Sequence, residues 1–441
     1  MITAGCRPGR GHHDHAEGAA VGFTELWDSL LPIGRDERTG GYRRYSWTQP
    51  DTDCRAWFTA AAAERGLRID CDRDGNLWAW WIPPPDDSGG SAVAARAAGP
   101  QPAVGAIVTG SHLDSVPDGG AYDGPLGIVS GFAAIDLLRD RGVEPVRPVG
   151  VAAFAEEEGA RFGLACLGSR LLTGAVDPAA AAALSDSAGI RLPEAMAAAG
   201  LDPAAIGPDD DLLAGIGAFV ELHIEQGSAL GGLGAAVGLA DGIWPHGRWR
   251  LDFNGRADHA GTTRLADRRD PMLPYAVTVL AARQAAADHG ALATIGKVVA
   301  EPGGANAISS AVRAWLDARA PDEATLDRVV SEVCAQAEAA AAAYGVEVSV
   351  RRESFTARLG FDAGLRDRLA SALSARGIAA PLLATGAGHD AGVLAGRLPT
   401  AMLFVRNPSG VSHAPAEYAE PADCLAGVTA LATVLEDLAG P

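Results

Sequence analysis

Four short apolar runs, Val104–Gly110, Val149–Ala155, Ala218–Ile224 and Thr400–Val405, each break off into a cluster of polar or glycine residues. Runs this short, without polar alternation, read as strands buried on both faces. Helical periodicity falls between and after them, over Leu126–Arg139, Leu164–Leu172 and Cys424–Leu438. Upstream, Thr52–Arg65 reads as a helix and Asn76–Ile82 as a further strand. Apolar strands alternating with helices predict an α/β fold with a mostly parallel central sheet flanked by helices.

A chain of 441 residues exceeds one ordinary core, so two domains are expected. Between Ile243 and Phe355 the pattern changes. Alternating strands (Trp249–Phe253, Val312–Leu316, Val346–Val350) share that region with two Ala-rich helical stretches, Met272–His289 and Asp322–Tyr344. Strand–helix–strand–strand–helix–strand is the order of a small α+β domain. The partition expected is therefore a disordered tail over 1–20, an α/β domain over 21–242 and 356–441, and an inserted α+β domain over 243–355. Within the first part, Pro83–Pro102 is rich in Pro, Gly, Ser and Asp and reads as an exposed loop insertion.

The net charge of −19 excludes a nucleic-acid or anionic-membrane partner, which needs a basic face. A small anionic ligand remains open, since one local Arg can hold a carboxylate. Six scattered cysteines without a C-x-x-C pair read as reduced thiols of a cytoplasmic protein. No apolar run reaches membrane-span length, and Met1–Ala20 lacks the apolar stretch of a secretory signal. His12, His13 and His15 in that tail are at most a weak metal site.

Five segments place His, Asp or Glu near strand ends, where a parallel sheet gathers its ligands. GSHLDSV carries His112 and Asp114, and GGAYDGPLG carries Asp123 among glycines. FAEEEGARFG carries Glu156, Glu157 and Glu158; ELHIEQG carries Glu221, His223, Glu225 and Gln226; GVSHAPAEY carries His413 and Glu417. Taken singly, each has an ordinary reading: a hydrogen-bonded histidine, a solvated acidic face, a tight turn at Asp123. Their coincidence favours a metal site, because three acids in a row after an apolar strand are costly unless something positive binds there.

These motifs, in this order and spacing, resemble the hydantoinase/carbamoylase amidase branch of the M20 metallopeptidase superfamily. That branch holds N-carbamoyl-L-amino acid hydrolases, β-ureidopropionases and allantoate amidohydrolases, and the resemblance runs from about Phe23 onward. It implies a zinc-peptidase-like catalytic domain and makes the insertion a dimerisation and lid domain. It implies two divalent metal ions per subunit (Zn or Mn, with Co or Ni also possible) on His112, Asp123, Glu158, His223 and His413. Asp123 would bridge, His112 and His223 completing one shell, Glu158 and His413 the other. Glu157 matches the general base. His259 in GRADHAGTT and Asn306 in GGANAISS match residues that reach the active site of the partner subunit in a homodimer. Arg319 in WLDARA matches the residue that grips the substrate carboxylate, and Gln226 one that contacts its polar groups. His389 in GAGHDAG reads as a supporting or packing residue beside a complete metal set.

There are departures. Glu156 stands where the family often has Asn, so that this extra carboxylate either faces solvent or adjusts the base. Arg264 and Leu265 replace the usual proline and methionine after AGTT, and an IWPH segment (Ile243–His246) sits at the domain junction. The reaction implied is hydrolysis of a ureido or amide C–N bond in a small carboxylate, allantoate or an N-carbamoyl-L-amino acid. The alternatives are an N-formyl or N-acyl amino acid hydrolase and an M20 exopeptidase or aminoacylase, against which HIEQG and AGTT speak. A non-catalytic binding protein would have lost a ligand or the base, and none is missing.

Overall fold

The structure, a computed structural model, describes residues 12–84 and 104–440. The chain forms two compact units. One gathers the residues up to Asp241 with Phe361–Leu383 and those from Gly388 onward; the other holds Gly242–Gly360 and the short segment Ala384–Ala387.

In the first unit, strands Arg68–Cys71, Leu77–Trp81, Val149–Phe154, Ala106–His112, Ile216–Ile224, Thr400–Val405 and Val237–Ile243 lie side by side in that order. The pairings at the centre, from Val149–Phe154 across to Thr400–Val405, are parallel, and those outside them are antiparallel. The parallel strands are buried almost without interruption, which is why their sequences read as continuous apolar runs. Ile107, Val151, Val220 and Leu403 face a core closed by helices Pro125–Asp140 and Pro421–Ala439. On the strand Leu77–Trp81, Trp78 and Trp80 stack with ring centroids 5.6 Å apart, and Phe154 meets Trp78 edge-on at 5.8 Å.

The second unit has a four-stranded antiparallel sheet in the order Glu347–Thr356, His246–Asn254, Ala311–Arg319, Leu292–Glu301. Helices Met272–His289 and Glu323–Ala343 cover one face, burying Leu251, Phe253, Val312, Leu316, Val329 and Val333. The alternation of buried and less buried residues along Ala311–Arg319 is the period-two signature of a sheet covered on one side.

Two expectations need correction. The tail expected over 1–20 is helical from His12, as part of a helix His12–Leu30, while residues 1–11 lie outside the described part. Phe23, Leu26 and Leu30 are buried in the main core. Once they dock, extension through Ala16–Ala20 costs only helix propagation. The strand read as Val104–Gly110 is Ala106–His112, because Ser111 and His112 continue the ladder opposite Ala153 and Phe154. Most of the Pro83–Pro102 loop reading, and the side chains of His12, His13 and His15, lie outside the described residues. The five described cysteines are free thiols, and no described helix is long and apolar enough to cross a membrane.

Candidate metal centre

All four central strands run the same way, so their carboxyl ends and the loops that follow share one edge of the sheet. His112 is the last residue of its strand and His223 the last but one of its own. Glu157 and Glu158 follow Val149–Phe154, and His413 lies in the loop after Thr400–Val405. Asp123 arrives on the loop that leads into helix Pro125–Asp140. The next residue, Gly124, has φ +86°, and a Cβ there would lie 2.5 Å from the His112 ring. Only glycine lets the backbone pass this close to the imidazole.

Asp123 is the hub. Its Oδ1 lies 3.6 Å from His112 Nε2 and 3.2 Å from His223 Nε2. Its Oδ2 lies 3.3 Å from His413 Nε2, which in turn lies 3.7 Å from Glu158 Oε2. Ligand-capable atoms of His112, Asp123 and His223 fall within 4.8 Å of one another, as do those of Asp123, Glu158 and His413. Two imidazoles are aimed by backbone carbonyls: His112 Nδ1 sits 3.1 Å from the carbonyl of Asp114 and His223 Nδ1 2.8 Å from that of Ile224. Each thereby turns Nε2 toward Asp123.

The acidic run is built from its backbone. Asp114 accepts the N–H of Glu157 on Oδ1 at 3.2 Å and that of Glu158 on Oδ2 at 3.1 Å. Glu156 adopts φ 54° and is buried, so its carboxylate does not face solvent. Instead it accepts the N–H groups of Arg161 and Phe162 at 2.8 and 2.7 Å, folding the following loop back. Glu157 points inward, with Oε2 3.8 Å from His112 Nε2 and the Cys166 thiol donating to Oε1 at 3.3 Å.

Burial and mutual charge shift several groups of the cluster from their ordinary values. Burial drives Glu157 well above the usual carboxyl range, helped by the charges of Asp390 and Glu158. Burial and the charge of Asp123 push Glu158 up to about 7. Burial also works against an ionised Asp123, but the three imidazoles outweigh it and hold that carboxyl well below its ordinary value. The hydrogen bond to Asp123 raises His413 to about 9. Carboxylates and imidazoles sharing protons in a closed space are a site from which a divalent cation displaces protons on binding.

The donor set fits such a cation. Glu158 Oε1 is buried with no hydrogen-bond partner, a cost of about 1–3 kcal/mol unless something positive meets it, and His223 Nε2 faces only the Asp123 carboxylate. Three imidazoles with hard carboxylate oxygens suit Zn, Mn or Co rather than Ca or Mg.

Gln226 donates from Nε2 to Asp123 Oδ2 at 2.9 Å, at the mouth of this cluster. His259, Asn306 and Arg319 belong to the second unit. There His259 pairs with Ala307 in a two-residue ladder, and the carbonyl of Asn306 accepts the N–H of Ala260 at 3.0 Å, so the two lie together. Arg319 ends its strand with Nε donating to Asp317 at 2.8 Å and Nη1 to the carbonyl of Gly386 at 2.5 Å. His389 packs on His223 with ring centroids 4.6 Å apart, within ligand reach of Glu221 and His223. Burial holds it well below its ordinary pKa, as a neutral ring.

Sequence reasoning named Asp390 only as part of GAGHDAG, with no role of its own, and missed Cys166. Asp390 follows His389 in GAGHDAG and accepts Ser169 Oγ at 2.5 Å. That adjacency was the available signal; nothing in the sequence marks Cys166. Glu225, singled out with its segment, binds the N–H groups of Ala229 and Leu230 and serves a short helix instead.

An open α/β sheet whose carboxyl edge gathers imidazoles and carboxylates around one buried aspartate is the architecture of a metalloenzyme. The chain belongs to the peptidase family M20/M25/M40, whose pattern matches residues 108–437. It is 34% identical over 409 residues to the N-carbamoyl-L-amino acid amidohydrolase of Geobacillus stearothermophilus, covering 92% of this chain and 96% of that protein. It is 30% identical over 425 residues to the allantoate amidohydrolase of Escherichia coli, covering 95% and 98%. A solved hydantoinase/carbamoylase family amidase from Burkholderia multivorans superposes with a TM-score of 0.80 at 28% identity, over 95% of this chain and 98% of that one.

Proposed function

We propose that the protein is a binuclear metal-dependent amidohydrolase that cleaves the ureido or amide C–N bond of allantoate or an N-carbamoyl-L-amino acid. The observation that carries this reading is the division of Asp123: one oxygen faces His112 and His223, the other His413, with Glu158 beside it. In the reading, His112, Asp123 and His223 would hold one ion and Asp123, Glu158 and His413 the second, with Zn or Mn as occupants. Bound there, such ions would supply Lewis acidity for activating water and polarising the scissile carbonyl.

The chain's own residues do the rest. Glu157 takes the proton of the attacking water and returns it to the leaving nitrogen, a task suited to a carboxyl raised by burial. Gln226 orients polar groups of the substrate. Arg319 receives the substrate carboxylate through a planar guanidinium already held by Asp317 and Gly386. His259 and Asn306 act on the site of the partner subunit, in a homodimer formed through the 243–355 lid domain. Its strand Leu292–Glu301 is a sheet edge exposing the large apolar residues Leu292, Val298 and Val299, and helix Met272–His289 exposes Leu280. The working compartment in this reading is the cytoplasm.

The test is an ammonia-release screen of allantoate and a panel of N-carbamoyl-L-amino acids, on metal-stripped protein reloaded with Mn, Zn or Co. An amine-release assay on N-formyl amino acids and dipeptides runs beside it. Metal-dependent ammonia release supports the reading. Turnover of dipeptides alone, or no bound metal and no activity with any ion, would sink it.

A further inference from the structure

Glu417 has no part in the chemistry above, yet it is 4% exposed and lies against the turn that presents Asp123. Its Oε1 accepts two backbone N–H groups at once, from Tyr122 at 3.0 Å and from Asp123 at 2.9 Å. The space it fills is reserved for it: a Cβ on Gly120 would fall 2.4 Å from both Cβ and Oε1 of Glu417. Glu417 also closes its own loop, its N–H reaching the carbonyl of Ala414 at 3.0 Å, next to His413. Tyr122 and Tyr418 meet edge-on at 5.9 Å beside this contact.

We propose that Glu417 is the positioning residue of the metal centre, a clamp that locks the Asp123 turn to the His413 loop and so sets the spacing of the second ion's ligands. The inference rests on the metal reading above. Its physical basis is an asymmetry of support. His112 and His223 stand on buried strands with carbonyls aiming their rings. Asp123 and His413 stand on loops, His413 at φ 56°, and no strand pairing joins those loops. The Glu417 carboxylate supplies that link. The ion on His112, Asp123 and His223 therefore tolerates its loss better than the ion on Asp123, Glu158 and His413.

The test is titration of chelator-stripped protein with Zn²⁺ against a chromogenic chelator, with thermal melts of each metal-free variant as the folding control. Glu417→Ala is expected to weaken the weaker of two sites by roughly 10–100-fold and the tighter one by less. Glu417→Gln, whose amide oxygen accepts the same two N–H groups, is expected to restore most of that affinity. Gly120→Ala is expected to reproduce Glu417→Ala by displacing the carboxylate. Two sites of wild-type affinity in a folded Glu417→Ala protein overturn the clamp, as does a Glu417→Gln protein as weak as Glu417→Ala. If Glu417→Ala does not fold, Glu417→Asp carries the test: it keeps the charge but falls one methylene short, and wild-type affinity there overturns the proposal. A wild-type chain that takes up no metal refutes the metal reading itself, and is seen before any variant is compared.

Discussion

Asp74 is buried in the turn between strands Arg68–Cys71 and Leu77–Trp81 and works against the fold as pH rises. It is 0% exposed; Oδ1 accepts the N–H of Gly207 at 2.8 Å, and Oδ2 is buried without a partner. Its neighbour Asp72 is fully bonded, to the N–H groups of Asp74 and Asn76, the Asn76 amide and the Trp78 indole. Burial, and then the charge of Asp72, push Asp74 from 3.8 up to about 8. In the unfolded chain the same carboxyl titrates near 4. Between those values the folded protein holds a proton that the unfolded chain has lost. Stability is therefore unaffected below about pH 4, falls as pH rises, and reaches its full penalty above about 8. Four units correspond to a ceiling of about 5 kcal/mol, which relaxation and water entry reduce to an expected ~2–3 kcal/mol. Asp74→Asn mimics the protonated acid and keeps the bond to Gly207. Urea unfolding of metal-free protein at pH 4.5, 6, 7 and 8 should show the variant near wild type at the acid end and increasingly more stable toward pH 8. A difference that does not change with pH, or a variant weaker than wild type at pH 8, refutes the reasoning.

Glu157→Gln should keep its metal, measured by elemental analysis, and lose about 10²–10⁴ in kcat, since only proton transfer is removed; near-normal turnover would take Glu157 out of that role. Arg319→Ala should raise KM for carboxylate substrates roughly 10–100-fold, the worth of a charged hydrogen-bond pair, with little change in melting temperature; an unchanged KM would leave the residue merely paired to Asp317. Mixing His259→Ala with Glu157→Gln subunits should recover part of the activity if sites are completed across the dimer, and verified heterodimers without recovery would confine each site to one subunit. Stripping with a chelator should lower the melting temperature as well as abolish activity, because ions on five converging side chains bind only the folded state; an unshifted melt would mean that the cluster holds no ion.

The sheet was legible because central parallel strands are buried on both faces and say so in unbroken apolar runs. Thr400–Val405 was readable to the residue for that reason. Leu292–Glu301 was called for by the strand order but was given no bounds: it lies at a sheet edge, mostly exposed, and carries no burial pattern to read. The helix over His12–Ala20 escaped because its stability comes from docking at Phe23 and beyond, not from its own sequence. At the centre, His112, Asp123, Glu158, His223 and His413 were nameable because imidazoles and carboxylates at strand ends have few other reasons to accumulate. The supporting acids were visible as residues but not as functions. Asp114 and Glu417 each spend their carboxylates on the backbone N–H groups of another stretch of chain, 294 residues away in sequence for Glu417 and Asp123, while Glu156 folds back its own loop. A carboxylate's neighbours in sequence show that it is available, not whose amides it will bind. That choice is made by which loops the parallel sheet delivers to one edge, so the candidate ligands of such a site can be read from the chain while the contacts that hold their loops in place are found only in the fold.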